Sequence, residues 1–160
     1  MRSAVARSGR LRSLGNFTAA LFVGVLSMQG AHAGPEGGKV VRGEGRIVRP
    51  STTVTNINQS SQLLVINWDT FNVAANETVN FHQPSSDAAA LNRIFDQNPS
   101  EIFGTINANG RVLLVNPNGL LFGQSASVNV GALIASGLDI DPDAFMAGDW
   151  RFENADGSTG

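Results

Sequence analysis

In residues 111–123, RVLLVNPNGLLFG, two apolar runs, VLLV and LLF, stand either side of a polar break, Asn116-Pro117-Asn118-Gly119. A similar break, Asn107-Ala108-Asn109-Gly110, begins nine residues earlier. Breaks at that interval leave room for strands of roughly five residues, about 17 Å long at ~3.3 Å per residue. A run such as VLLV does not alternate apolar with polar, so a half-exposed hairpin strand explains it poorly. A chain that turns a corner at each break explains it better. Each short strand then stacks on its equivalent one coil away, and parallel sheets enclose a shared core, which is the pattern of a solenoid. Asn and Gly suit such corners because both accept left-handed backbone angles that most residues avoid. The Asn amide also bonds backbone groups that a bend leaves unpaired. Pro117 fixes its own φ and pushes Asn116 toward extended geometry. An ordinary type I or type II turn has the same composition, so NPNG alone does not imply a partner.

The rest of the chain repeats this texture. Short β-like runs fall at residues 46–48, 52–57 and 63–66, around Phe71 and Val73, and around Val79 and Phe81. Further runs occupy residues 102–106, 111–115, 120–122 and 128–134, and Asn, Gly, Ser or Pro bounds nearly every one. Many short strands with regular turn signals predict an all-β protein. Residues 34–45 are Gly-rich and read as a mobile or edge segment. Only residues 87–95 have helical propensity, with Ser86 as a candidate N-cap; they read as two helical turns or an irregular excursion. From Gly34 onward there are fourteen Asn and one Lys, in keeping with a turn-dense β fold.

Charge is uneven along the chain. Residues 1–33 hold Arg2, Arg7, Arg10 and Arg12 and no acid, whereas residues 34–160 hold seven basic and thirteen acidic side chains. An acidic, Lys-poor body fits neither nucleic acid nor an anionic membrane surface. The basic start leads into the apolar stretch FTAALFVGVLSM and then Ala31-His32-Ala33. Positive end, short apolar run and small residues at A-x-A are the parts of a secretory signal peptide read by the Sec machinery. The predicted cleavage follows Ala33, so residues 1–33 are the signal peptide and the mature domain, residues 34–160, starts at Gly34 outside the cytoplasm. A retained membrane anchor is the alternative, although the apolar run is short for a bilayer span.

Catalytic and metal signatures are sparse. His82 stands alone after the signal peptide, without the paired ligands of a zinc site, and the chain has no Cys. G-x-S-x-G and the phosphate-cradling G-x-x-x-x-G-K are both missing. Asp139-Ile140-Asp141-Pro142-Asp143 resembles the start of a calcium loop, but Ala144 stands where that loop needs Gly and Trp150 where it needs Glu. A solvated acidic turn is the plainer reading. Trp68 and Trp150 are read as core or cap packing rather than as binding aromatics. Asn58-Gln59-Ser60 and Asn76-Glu77-Thr78 match the N-glycosylation pattern. A polysaccharide-degrading enzyme needs clustered carboxylates or bases, whereas residues 104–138 contain no acid and one Arg. These readings give no enzyme and no cofactor.

Several motifs in order carry a more specific signal: Asn67-Trp68 with Phe71-Asn72, Leu91-Asn92-Arg93, Gly110-Arg111-Val112, Asn116-Pro117-Asn118-Gly119, Phe122-Gly123, and Ala135-Ser136 with Leu138-Asp139-Ile140. Together they resemble the N-terminal secretion domain of filamentous haemagglutinin-like exoproteins, in the branch found in high-molecular-weight adhesins. The resemblance covers about residues 38–152. It implies a right-handed parallel β-helix with extra strands capping its N-terminal end. It implies export to the periplasm of a Gram-negative bacterium, recognition by an outer-membrane Omp85-type pore of a two-partner secretion system, and passage outward unfolded to the cell surface or medium. The family's secretion motif falls on Asn116, Pro117, Asn118 and Gly119, where alteration is expected to impair export. Some members carry a second, upstream Asn-Pro motif, which is read as absent here; only Gln59-Ser60-Ser61 and the Leu91-Asn92-Arg93 region lie nearby. Family exoproteins are usually far longer, and contacts with a host-cell surface generally lie downstream, so this chain reads as a fragment or a truncated product. A module that itself binds host surfaces or glycans is the alternative.

Overall fold

The computed structural model describes residues 34–154. The predicted cleavage residues Ala31 and Ala33 lie outside them, and Gly34 is the first described residue. The chain opens with two strands, β1 (Lys39–Arg42) and β2 (Gly45–Ser51). Four coils follow. The first contributes β3 (Val54–Gln59) and β4 (Leu63–Trp68), and the second β5 (Thr78–His82), β6 (Ala89–Ile94) and β7 (Ser100–Ile102). The third contributes β8 (Thr105–Ala108), β9 (Arg111–Val115) and β10 (Leu120–Phe122), and the fourth β11 (Ser127–Asn129) and β12 (Ala132–Ser136). A short helix, α1 (Pro142–Met146), comes last.

Each strand pairs in parallel with its counterpart one coil on. The resulting ladders are β3-β5-β8-β11, β4-β6-β9-β12 and β7-β10, the last continued to the first coil by a bridge between Val73 and Ile102. At the N-terminal end β1 lies antiparallel on β4, and β2 antiparallel on β3. The fold is a right-handed parallel β-helix of about four turns with N-terminal capping strands. Leu63 pairs with Ala89, Ala89 with Arg111 and Arg111 with Ala132, steps of 26, 22 and 21 residues. Those unequal steps hide the repeat from a fixed-period search.

The core has two parts, on opposite faces of the β4-β6-β9-β12 sheet. Inside the coils, Leu64, Ile66, Ala90, Val112 and Leu114 meet Ile57, Val79, Phe81 and Ile106 from the facing sheet. On the outer face, Val65, Leu91, Leu113 and Val115 lie under Ile140 and Phe145 from the α1 region. A strand buried on both faces reads as a continuous apolar run, and VLLV is such a strand. Full burial of each of these Val, Leu, Ile and Phe side chains contributes about 1.5–3 kcal/mol. Asp141 caps α1 by accepting from the Asp143 and Ala144 amides at 3.0 and 2.8 Å, with Pro142 following it. Trp150 stacks on Phe145 with centroids 5.2 Å apart and covers the outer cluster.

Four local expectations change. Residues 87–95 are not helical: Ala89–Ile94 forms β6, paired on both sides, and Ser86 caps nothing. Pairing and complete burial of Ala89, Ala90 and Leu91 override their helix propensity. Residues 102–106 are not one run but two strands, with a corner at Phe103-Gly104. Residues 128–134 likewise divide at Val130-Gly131. Phe71 and Val73 are buried, but they lie in a connecting segment whose ladder contacts are isolated bridges, Thr70 to Glu36 and Val73 to Ile102.

Candidate functional site

The NPNG break is a corner of the third coil; its side chains reach the second coil and its backbone the fourth. Asn116 follows β9 and is wholly buried. Its Nδ2 donates to the Asn98 carbonyl at 3.1 Å and to Ser100 Oγ at 3.0 Å, both in the second coil. Its Oδ1 accepts from the Asn118 amide at 2.9 Å, closing a turn inside the motif. Its own amide donates to the Ser136 carbonyl of the fourth coil at 3.0 Å. Pro117 and Asn118 are exposed, and Asn118 Nδ2 donates to the Asp96 carbonyl at 2.7 Å. Gly119 has φ +99°, and its amide donates to the Asn116 carbonyl at 2.8 Å.

The same corner is closed in the same way in two more coils. The Asn98 amide donates to Asp96 Oδ1 at 2.9 Å, and the Leu138 amide to Ser136 Oγ at 2.9 Å. Asp96, Asn116 and Ser136 thus form a column of side-chain-closed turns twenty residues apart. Asn98-Pro99 is therefore an upstream Asn-Pro dipeptide at this corner, contrary to the expectation that none is present, and the Asn98 carbonyl accepts from the Asn116 side chain. The repeated Asn-Pro dipeptide was the available signal.

The other predicted residues hold the second coil together. Asn92 is fully buried inside the helix, where its Oδ1 accepts from Trp68 Nε1 at 3.0 Å. Its Nδ2 donates to the carbonyls of Ala90 and Leu113, at 3.2 and 3.1 Å. Trp68 meets Phe71 edge to face, with centroids 5.5 Å apart. Asn72 Oδ1 accepts from the Glu101 amide at 2.8 Å and ties the first coil to β7. Leu91 packs in the outer cluster. Arg93 makes a two-pronged pair with Asp139, Nε donating to Oδ1 at 2.9 Å and Nη2 to Oδ2, and it lies 5.3 Å over the Phe95 ring. Asn67 is the outlier: its Oδ1 is buried and has no hydrogen-bond partner. The calcium reading loses its carboxylates to protein contacts, because Asp139 holds Arg93, Asp141 caps α1 and Asp143 pairs with Arg42 at 2.8 Å.

Two polar ladders lay beyond the sequence reading. Asn56, Asn80, Asn107 and Asn129 bond in series across the β3-β5-β8-β11 sheet at 2.9, 2.9 and 3.1 Å. Gln83 Nε2 donates to Gln59 Oε1 at 3.1 Å, and Gln83 Oε1 accepts from the Gly110 amide at 2.8 Å. His82, beside the first ladder, is exposed.

The fold and this corner column define the class: a capped parallel β-helix with a buried asparagine joining neighbouring coils. Residues 31–158 match the family model described as TPS secretion domain, and the chain belongs to that family. Over 107 residues it is 37% identical to a heme/hemopexin-binding protein of Haemophilus influenzae strain Rd, covering 67% of this chain and 12% of that protein. A second Haemophilus influenzae heme/hemopexin-binding protein is 36% identical over the same length and share. The crystal structure of the HMW1 secretion domain from Haemophilus influenzae superposes with a TM-score of 0.71 at 34% identity, covering 76% of this chain and 32% of that one. The match thus spans about one-eighth of the length of the curated relatives. The family is one of secretion domains of exported proteins rather than of enzymes, and it implies an outer-membrane partner pore.

Proposed function

We propose that this domain is recognised by an outer-membrane pore of the Omp85 type and then seeds β-helix folding outside the cell. The Sec machinery delivers the chain to the periplasm, and cleavage after Ala33 leaves Gly34 as the mature N-terminus. The observation that carries the seeding reading is the inequality of the two ends. At the N-terminal end β1 and β2 break the parallel stacking of both main sheets by pairing antiparallel, whereas β10, β11 and β12 continue their ladders in parallel register up to the last described coil. An uncovered edge is a template for another strand, and a solenoid grows from a formed coil to the next. Growth from this domain therefore has one direction. Asn116, Pro117, Asn118 and Gly119 act as the clamp that joins the second, third and fourth coils. Asn67, Trp68, Phe71, Asn72, Leu91, Asn92 and Arg93 support it by fixing the first two coils against each other.

Recognition by the pore draws on the surface around the same corner. Phe95, Leu121 and Phe122 are the exposed large apolar side chains among the described residues, and they flank Asp96 and Gly119 in sequence. Exposed apolar groups beside a polar corner suit capture by a protein partner. Strand addition to the pore's periplasmic sheet edge is a natural way to hold an extended chain. The whole exoprotein's activity, including any contact with a host surface, would reside in chain beyond the secretion domain.

The test is export with and without a cognate pore, read by intact mass in the culture medium. The expected result is a species starting at Gly34, found outside only when the pore is present. Retention in the periplasm despite a competent cognate pore would overturn the recognition reading.

A further inference from the structure

At the capped end lies a cleft of about 370 Å³, lined among others by Gly34, Arg49, Thr53, Thr55, Glu77 and Thr78. Glu77, in the turn that leads into β5, is a buried carboxylate with 7% exposure. Its Oε2 accepts from the Ala74 amide at 2.8 Å. No ion pair among the described residues includes Glu77, and no Lys or Arg hydrogen-bonds to it. A buried carboxylate is costly without a cationic partner or several donors. Its other oxygen, Oε1, faces Gly34: a methyl carbon built on Gly34 would stand 3.6 Å from it. Pro35, next in the chain, is buried and its carbonyl accepts from Arg49 Nη2. Glu36 is fixed by paired backbone bonds with Asp69 and Thr70. Gly34 is therefore held at the mouth of this cleft by the residues after it.

We propose that the α-ammonium group created at Gly34 by signal cleavage is the counter-ion of Glu77, so that processing completes the cap. The proposal rests on the cleavage site proposed above. Before cleavage the Gly34 nitrogen is a neutral amide. Afterwards it is a cation whose α-carbon already lies beside the carboxylate. The charged groups that line the cleft with it are Arg49 from β2, whose guanidinium donates to the Pro35 carbonyl, Glu36 in the leading segment, and Glu77 itself. The two carboxylates outnumber the one guanidinium, and Glu77 is the group nearest to Gly34, which favours a protonated amine. An amine held in that state titrates above its ordinary range of about 7.7–8.0. Its stabilising contribution is complete below about pH 8 and fades as pH rises through the raised value. An uncleaved precursor has no such contribution, so the cap would be tightest only after processing.

The test uses the processed protein recovered from the periplasm of cells expressing the full chain. Intact mass establishes the N-terminus. The pH dependence of α-amine acylation, read by mass, then gives its pKa. The expected outcome is a chain starting at Gly34 whose amine titrates about one pH unit above the ordinary range, with Glu77→Gln returning it to that range. Glu77→Asp, shorter by one methylene, should give an intermediate value and keeps the question answerable if the Gln variant does not fold. A chain starting at Gly34 with an ordinary amine pKa overturns the pairing and leaves the cleavage reading standing. A chain starting anywhere else overturns both.

Discussion

The two Asn-Gly corners, Asn107 to Gly110 and Asn116 to Gly119, use the same residue types for different physical ends. In the first, Asn107 belongs to the outward asparagine ladder, and Asn109 exchanges two bonds with the Gln83 backbone, both at 2.8 Å. Gly110 is there for want of space: a Cβ would meet the Ala88 carbonyl at 2.6 Å and the Ser85 carbonyl at 2.9 Å. In the second, the first Asn is buried and bonds to the neighbouring coil. At Gly119 a Cβ would have nothing within 4 Å, but the backbone holds φ +99°. One glycine is demanded by packing, the other by backbone angle. Corners that look alike in sequence can thus serve as a seam between coils or as a clamp with an open outer face.

This contrast orders the expected effects of substitution. Gly110→Ala should be the most damaging, because backbone carbonyls cannot move aside as a side chain can. A cost of about 3 kcal/mol, or roughly a 10 °C fall in Tm, is expected by circular dichroism. An unchanged Tm would mean the corner is looser than the packing distances imply. Asn116→Ala comes next, at about 2–3 kcal/mol by urea unfolding, since three hydrogen bonds of a fully buried amide are lost. Asn116→Asp should not rescue it, because a carboxylate oxygen would then face the Asn98 carbonyl. Gly119→Ala should cost only about 1–2 kcal/mol, the strain of the positive angle alone. If Gly119→Ala proves as harmful as Gly110→Ala, the distinction between the corners fails.

The contrast also marks where sequence reasoning stopped. Solenoid architecture was legible because VLLV and its relatives could be buried only by stacking. The clamp position was legible because Asn-Pro-Asn-Gly is a compact, local motif. What stayed hidden depends on which residues come face to face across coils. Asn56, Asn80, Asn107 and Asn129 look unrelated along the chain, since their spacings are unequal, yet they form one ladder. Ala89 to Ile94 looks helical because local propensity carries no record of the strands on either side. Asn98-Pro99 was available as a repeated dipeptide, but only the bond from Asn116 shows what it does.

Both corners are built from neutral amides, so their contributions should not titrate. Acid should instead act on charged clasps elsewhere, among them Arg42–Asp143, which joins capping strand β1 to α1. The hydrogen bond and charge of Arg42 hold the Asp143 carboxyl below its usual range. A carboxyl depressed in the folded state adds stability that is present above its unfolded pKa, about 3.9, and is lost as pH falls through the folded value. The window therefore lies below about pH 4. Both side chains are well exposed, so salt and solvent screen the pair and its effect should be smaller than that of any corner substitution. Thermal melts between pH 6 and 3 should show Asp143→Asn losing less stability in acid than the unaltered protein. Asn116→Ala and Gly110→Ala, by contrast, should run parallel to the unaltered protein across the same range. An Asn116→Ala curve that converges with it in acid would mean that the clamp depends on a charged group, and the division between amide corners and ionic clasps would have to be redrawn.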